Sequence, residues 1–332
     1  MHRHLTSLAL LFSVVCLGLS AMEMGVARFA PQPLVRAYGI AHPDLGTWQR
    51  PSVTFHDTTD GDYWVRANAQ AFRMDEDADL SPGRRRVIIY GDSFVLGWGV
   101  NIEQAFFSLL KQSLEGRDPS LQLLNSGAGG YSTGHVKKLA EAHLAGLRPA
   151  AAVYFFNNND IIENAITDLD YRVTDYAFAP DGTVTLTDRQ PFTPWKRFLL
   201  NHTPYGWLNQ HSHLFVLGKD ELARLSAAHL DRLATVLENA GVPLVVVWIP
   251  SWDEIAGQGD AVKLELMARS VAALKEVAAR RGFAFIDPDT LMAADSLRLP
   301  DGHFNVAGNR WFAELIEPAL AQSLSRALGR DR

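Results

Sequence analysis

Residues 87–90 read Val-Ile-Ile-Tyr, and Gly91, Asp92 and Ser93 follow without a spacer. A run this short and apolar at every position has no polar face to turn toward water. That suits a parallel strand buried on both sides. The next pattern is helical and starts near Glu103, with Phe106, Phe107, Leu109 and Leu110 on one face. Ser93 therefore falls where a strand hands over to a helix, at the carboxyl end of the strand. In open α/β sheets that edge is where ligands bind. A serine there reads either as a turn or capping residue or as a nucleophile. The second reading requires a base to take its proton and donors to hold an oxyanion, both supplied from elsewhere in the chain.

The alternation of strand and helix continues. Residues 121–124 form a second strand, followed by a glycine-rich loop from Asn125 to Thr133 and a helical pattern over 134–147. Residues 151–156 are a third run, with Asn157, Asn158, Asn159 and Asp160 at its carboxyl end. Strands at 244–249 and 283–286 are each preceded by a helical pattern, at 222–240 and 261–281. A final helix follows Asn305, a plausible N-cap, and Pro318 is expected to kink or break it. This order predicts the α/β class, a three-layer α/β/α sandwich around a parallel sheet of about five strands.

Residues 161–219 interrupt the rhythm. Within them 176–187, centred on Pro180-Asp181-Gly182, reads as a β-hairpin, and an aromatic-rich stretch follows. An insert of that length usually has a task, such as a lid or a binding wall. Its rings Trp195, Tyr205 and Trp207 are candidate substrate-binding residues, since amphipathic rings suit sugar faces and acyl chains.

The chain has 332 residues, 47% hydrophobic and 20% charged, which is globular composition with ample material for a core. A net charge of −6 gives no basic footprint for nucleic acid. The single cysteine, Cys16, excludes an internal disulfide and a cysteine metal cluster. No histidine pair at i, i+4 accompanies a glutamate, and no metal or cofactor is implied. Residues 5–22 carry no charge, and Arg3 precedes them. They read as a signal peptide or, as preferred here, an uncleaved signal anchor that makes the membrane a partner. With Arg3 inside, the rest of the chain is expected outside the cytoplasm, periplasmic or extracellular, and secreted if the segment is cleaved. The expected divisions are 1–29 for this segment, 30–82 for a stalk with a small packing segment, and 83–332 for the main α/β domain.

Three polar points thus follow three successive strands: Ser93, the glycine loop and Asn159. Backbone N–H groups of a glycine loop can approach an oxyanion without a Cβ in the way, and the Asn159 amide can add a donor. Near the chain's end, Asp301-Gly302-His303 stands just ahead of the last helix. There an imidazole can serve as general base, with Asp301 orienting its other nitrogen. A metal pair of Asp301 and His303 lacks further ligands nearby, and no Gly-Lys-Ser/Thr supports a phosphate loop. Val95 also breaks the Gly-x-Ser-x-Gly elbow.

This ordered set resembles the SGNH hydrolases, or GDSL esterase/lipase family. Gly91-Asp92-Ser93 is similar to the first block of that family, Asn125 to Thr133 to the second, Asn159-Asp160 to the third, and Asp301 with His303 to the last. The resemblance covers about residues 87–328. It implies a flavodoxin-like sandwich and hydrolysis or transfer of acyl esters. By the same resemblance Ser93 is the nucleophile, His303 the base and Asp301 its orienter. The Ser93 and Gly130 N–H groups and the Asn159 side chain form the oxyanion hole. Asn157 stands where the family has a glycine. Asp301 lies two residues before His303 rather than three, a spacing similar to SGNH-like O-acetyltransferases of exopolysaccharide assembly. The expected activity is a serine esterase acting on acyl groups, acetyl above all, of an envelope carbohydrate or lipid. The alternatives are an O-acyltransferase with the same triad and a catalytically silent glycan-binding module.

Overall fold

The computed structural model describes residues 2–29, 39–58, 61–165, 173–188, 217–252, 254, 260–288 and 295–329. The chain forms two compact units, Met1–Ala37 and Tyr38–Arg332. The first contains one helix, α1 (His2–Phe29). Leu8, Leu10, Phe12, Val14, Leu17 and Leu19 on it are all exposed. No helix among the described residues is long and apolar enough to cross a membrane. The spanning anchor expected over residues 5–22 is therefore not established.

The second unit opens with two antiparallel hairpins. One pairs β1 (Gly39–His42) with β2 (Gly46–Gln49), and the other pairs β3 (Thr54–Asp57) with β4 (Tyr63–Arg66). Residues 39–81, expected as a stalk running into a small packing segment, are part of this unit. The physical reason is a set of buried side chains in that stretch. Tyr63, Val65, Phe72 and Arg73 are all buried, and Tyr63 and Val65 pack with Leu96 and Trp98 of the main fold.

The main sheet contains β5 (Arg85–Gly91), β6 (Leu121–Gly127), β7 (Ala151–Asn157), β10 (Leu244–Ile249) and β11 (Ala284–Ile286), all parallel. Their order across the sheet is β11-β10-β7-β5-β6. Counted along the chain this is 2-1-3-4-5, the flavodoxin-like order, in which the direction of winding reverses between the first and third strands. The remaining pair, β8 (Thr174–Phe178) and β9 (Val184–Asp188), is the hairpin expected within the insert.

Because side chains alternate along a strand, each apolar run feeds two cores. Ile88, Tyr90, Tyr154, Phe156, Val246 and Trp248 face one layer of helices. That layer holds α4 (Thr133–Leu147), α6 (Lys219–Asn239) and α7 (Ala261–Arg281). Val87, Ile89, Val153, Phe155, Val245 and Val247 face the other. There lie α3 (Phe106–Arg117) and α8 (Val306–Ala327). A fully buried ring such as Phe155 contributes about 2–3 kcal/mol to the fold.

Asn305 caps α8, its side chain accepting from the Gly308 N–H. The helix is not broken at Pro318 as expected but continues through it. Leu320 and Leu324 beyond the proline are buried against the sheet, and that burial offsets the roughly 3 kcal/mol cost of an interior proline.

Candidate active site

β5 ends at Gly91, and the two short helices α2 (Ser93–Leu96) and α5 (Asn158–Glu163) start directly after β5 and β7. These strands are neighbours at the point where the winding reverses, so Ser93 and Asn159 meet at one sheet edge. The close fit here requires glycine. A Cβ on Gly91 would lie 2.4 Å from Val95 Cγ2, and one on Gly127 would lie 2.3 Å from the Leu96 nitrogen. Asp92 is the N-cap of α2, its Oδ1 accepting the Phe94 N–H at 2.9 Å.

Ser93 Oγ lies 2.7 Å from His303 Nε2, and His303 Nδ1 lies 2.9 Å from Asp301 Oδ2. The second oxygen of Asp301 accepts the His303 backbone N–H at 3.1 Å. Local structure explains how two residues so close in sequence reach each other. The chain turns tightly at Gly302, whose φ of +93° favours glycine, and Leu299 N–H donates to the His303 carbonyl at 2.8 Å. Phe304, buried next to the histidine, anchors the turn among Phe94, Trp252 and Phe312. The imidazole itself has Phe94 at 5.0 Å and Trp98 at 5.8 Å between ring centroids. Trp252 Nε1 donates to the Gly302 carbonyl and fixes the outer side of the turn.

The glycine loop runs beside the serine. A Cβ on Gly129 would sit 4.0 Å from Ser93 Cβ, and Gly130 follows with φ of +74°, a conformation that side chains disfavour. The loop is held from outside by the first hairpin. Gln49 Nε2 donates to the Gly127 carbonyl at 2.6 Å, and the Tyr131 hydroxyl donates to the Thr47 carbonyl. Asn159 Nδ2 donates to Asp92 Oδ2 at 2.9 Å and to Glu163 Oε1 at 3.3 Å.

Thus Ser93, His303 and Asp301 form one hydrogen-bonded chain, and Asn159 bonds to Asp92, the residue before Ser93. Trp195, Tyr205 and Trp207 lie outside the described residues. Sequence reasoning missed Asp92 as the partner of Asn159, Arg73 and Glu163. Arg73 is buried and donates to the carbonyls of Leu96 at 2.6 Å, Val100 at 2.7 Å, Trp64 at 3.1 Å, and Gly97. It ties the loop after the serine to the preceding hairpin. Glu163 carried a usable signal, its place one helical turn after Asn159; Arg73 carried none.

Three carboxyls crowd behind the serine. Burial raises Asp92, against the opposing effect of the Phe94 N–H, the Asn159 amide and His303. Burial, and then the charges of Asp92 and Glu163, hold Asp160 well above the usual carboxylate range. Glu163 is pushed up to about 8, first by burial and then by Asp92. Among the described residues no group of three or more His, Cys, Asp or Glu could hold a metal ion.

A serine, an imidazole and a carboxylate in this order, beside a glycine loop, are the parts of a nucleophilic hydrolase. The family profile described as GDSL-like Lipase/Acylhydrolase family matches residues 89–311, more than half of the chain. The chain belongs to this GDSL-like family. It is a carboxylic ester hydrolase. Solved structures similar to this GDSL-like chain include that of TesA, 14% identical with a TM-score of 0.46, covering 71% of this chain and 98% of that one. The esterase EstA from Pseudoalteromonas sp. is 11% identical with a TM-score of 0.45, over 73% of this chain and 99% of its own. Axe2, an acetylxylan esterase from Geobacillus stearothermophilus, is 14% identical with a TM-score of 0.42, over 76% and 97%. No curated protein matches this chain.

Proposed function

We propose that this protein is a serine esterase that removes acyl groups, acetyl above all, from a carbohydrate or lipid of the cell envelope. The observation that carries this reading is the hydrogen-bonded chain from Ser93 through His303 to Asp301, with links of 2.7 and 2.9 Å. In the tautomer that fits it, Nδ1–H donates to Asp301 and Nε2 accepts from the Ser93 hydroxyl. As Ser93 Oγ bonds to the ester carbonyl carbon, its proton passes to Nε2. The carbonyl oxygen becomes an oxyanion that accepts from the Ser93 and Gly130 backbone N–H groups and from Asn159 Nδ2. Collapse of this intermediate breaks the bond to the alcohol, which leaves with the proton from Nε2. Water then repeats the sequence on the acyl-enzyme, releasing the acid and restoring Ser93. Trp195, Tyr205 and Trp207 of the insert are, in this reading, the residue types suited to contact sugar or acyl groups.

A second reading is favoured by one observation, the spacing of Asp301 two residues before His303. In it a sugar hydroxyl replaces water, and the acyl group is transferred. Turnover of acetylated oligosaccharide by the purified protein, with and without a sugar acceptor, separates the two. Hydrolysis predicts free acetate at a rate that the acceptor leaves unchanged, whereas acetyl groups appearing on the acceptor contradict it. Failure to turn over any acetyl ester contradicts both.

The active site stands outside the cytoplasm in this reading. Support comes from the uncharged run 5–22 behind Arg3 and from the exposed apolar side chains of α1, which suit an apolar surrounding. Fractionation of the full-length chain with a C-terminal tag is expected to place it with envelope or secreted material. Recovery from the cytoplasm with residues 1–22 intact overturns this placement.

A further inference from the structure

We propose that Glu163 is a positioning residue that orients the Asn159 amide for the oxyanion, a role that rests on the reading of Ser93 as nucleophile. Asn159 and Glu163 lie one turn apart on α5, on the same side of that helix. The Asn159 amide has two N–H groups. Asp92 Oδ2 takes one at 2.9 Å, and Glu163 Oε1 takes the other at 3.3 Å, the long end of a hydrogen bond. The amide oxygen of Asn159 has no partner among the described residues. Contact with Asp92 alone would leave the amide free to turn about that single bond. Glu163 supplies the second point that sets its plane.

The chemistry of Glu163 suits an acceptor that must let go. Its Oε2 is buried without a hydrogen-bond partner among the described residues, and burial together with Asp92 pushes the carboxyl up to about 8. Near neutral pH it is therefore uncharged. A neutral acceptor at 3.3 Å holds the N–H in place at rest. It is then outcompeted by a full oxyanion, because a hydrogen bond to a charged acceptor is roughly twice as strong as one between neutral groups. Asp92 keeps the other N–H throughout, so the amide stays anchored while one N–H changes partner.

Three variants of the full-length protein test this. Glu163→Gln keeps an uncharged acceptor of the same length, whereas Glu163→Met fills the space without one. Glu163→Ala is a second acceptor-free variant should the first fail to fold. Acetyl-ester kinetics and the rate of fluorophosphonate labelling are measured for each, with thermal melting as the check on folding. The Gln variant is expected within about twofold of wild-type kcat, and the acceptor-free variants about tenfold lower with KM unchanged, the scale of a misplaced oxyanion donor. An acceptor-free variant that folds and keeps wild-type kcat overturns the proposal. So does a Gln variant that loses about tenfold in kcat, because an uncharged acceptor is then not what Asn159 requires. Wild-type labelling keeps the two ideas apart. If the wild-type protein does not label at Ser93, the nucleophile assignment fails; if it labels and Glu163 proves indifferent, only this inference fails.

Discussion

Replacing Ser93 with alanine is expected to lower acetyl-ester turnover on the order of 10⁶-fold in kcat while leaving the fold intact, the scale of losing the nucleophile of a serine triad. The size follows from what Ser93 does. In the proposed mechanism its oxygen forms the covalent bond to the acyl carbon. His303 Nε2 points at this hydroxyl, and the other side chains at this edge, Asp92 and Asn159, are bonded to each other. Stability should change little. Ser93 Oγ makes its bond to an imidazole on a partly exposed turn, whereas α2 is fixed by the Asp92 cap, by Gly97 and by Arg73. Near-wild-type melting with turnover about 10⁶-fold below wild type is the expected pair of measurements. Residual turnover within tenfold of wild type would move the nucleophile elsewhere.

His303→Ala is expected to cost at least on the order of 10³-fold in kcat, because a serine hydroxyl without a base is a weak nucleophile. KM should change less, since the imidazole acts on the proton rather than on the substrate. Asp301→Asn should cost no more than this. Its Oδ2 orients Nδ1–H at 2.9 Å, but its Oδ1 also accepts the His303 backbone N–H at 3.1 Å, so an amide keeps part of the turn. Steady-state kinetics on an acetyl ester decide both. A His303 variant with wild-type kcat would mean that Ser93 gives its proton to something other than this ring.

The core of the fold was legible because its signal is local. Each of the five strands is a short, mostly apolar run ended by Gly, Asn, Pro or Asp, and a parallel strand buried on two faces can hardly be written otherwise. The positions of Ser93 and Asn159 were legible for the same reason, since each directly follows such a run. Asp301 and His303 were legible as a spaced pair ahead of a helix. The hairpins before the sheet were legible only as a small packing segment. Their burial rests on side chains that bond to distant carbonyls, Gln49 to Gly127 and Arg73 to Leu96, Gly97 and Val100, and such bonds leave no periodicity in a stretch rich in Pro, Asp and Thr. The link from Asn159 to Asp92 spans 67 residues, and no spacing in the sequence pairs two side chains so far apart. Pro318 misled because the cost of a proline is local and the burial of Leu320 and Leu324 that offsets it is not.

The most direct test of the central claim is the mass of the intact wild-type protein after incubation with a fluorophosphonate, followed by mapping of the modified peptide. Fluorophosphonates form a stable bond only with an activated hydroxyl, so the reaction reports the serine, its base and its oxyanion donors together. The account predicts a single adduct, located on Ser93, that is absent when Ser93 is alanine. An unmodified mass, or an adduct on another residue that survives in the Ser93→Ala variant, would contradict it.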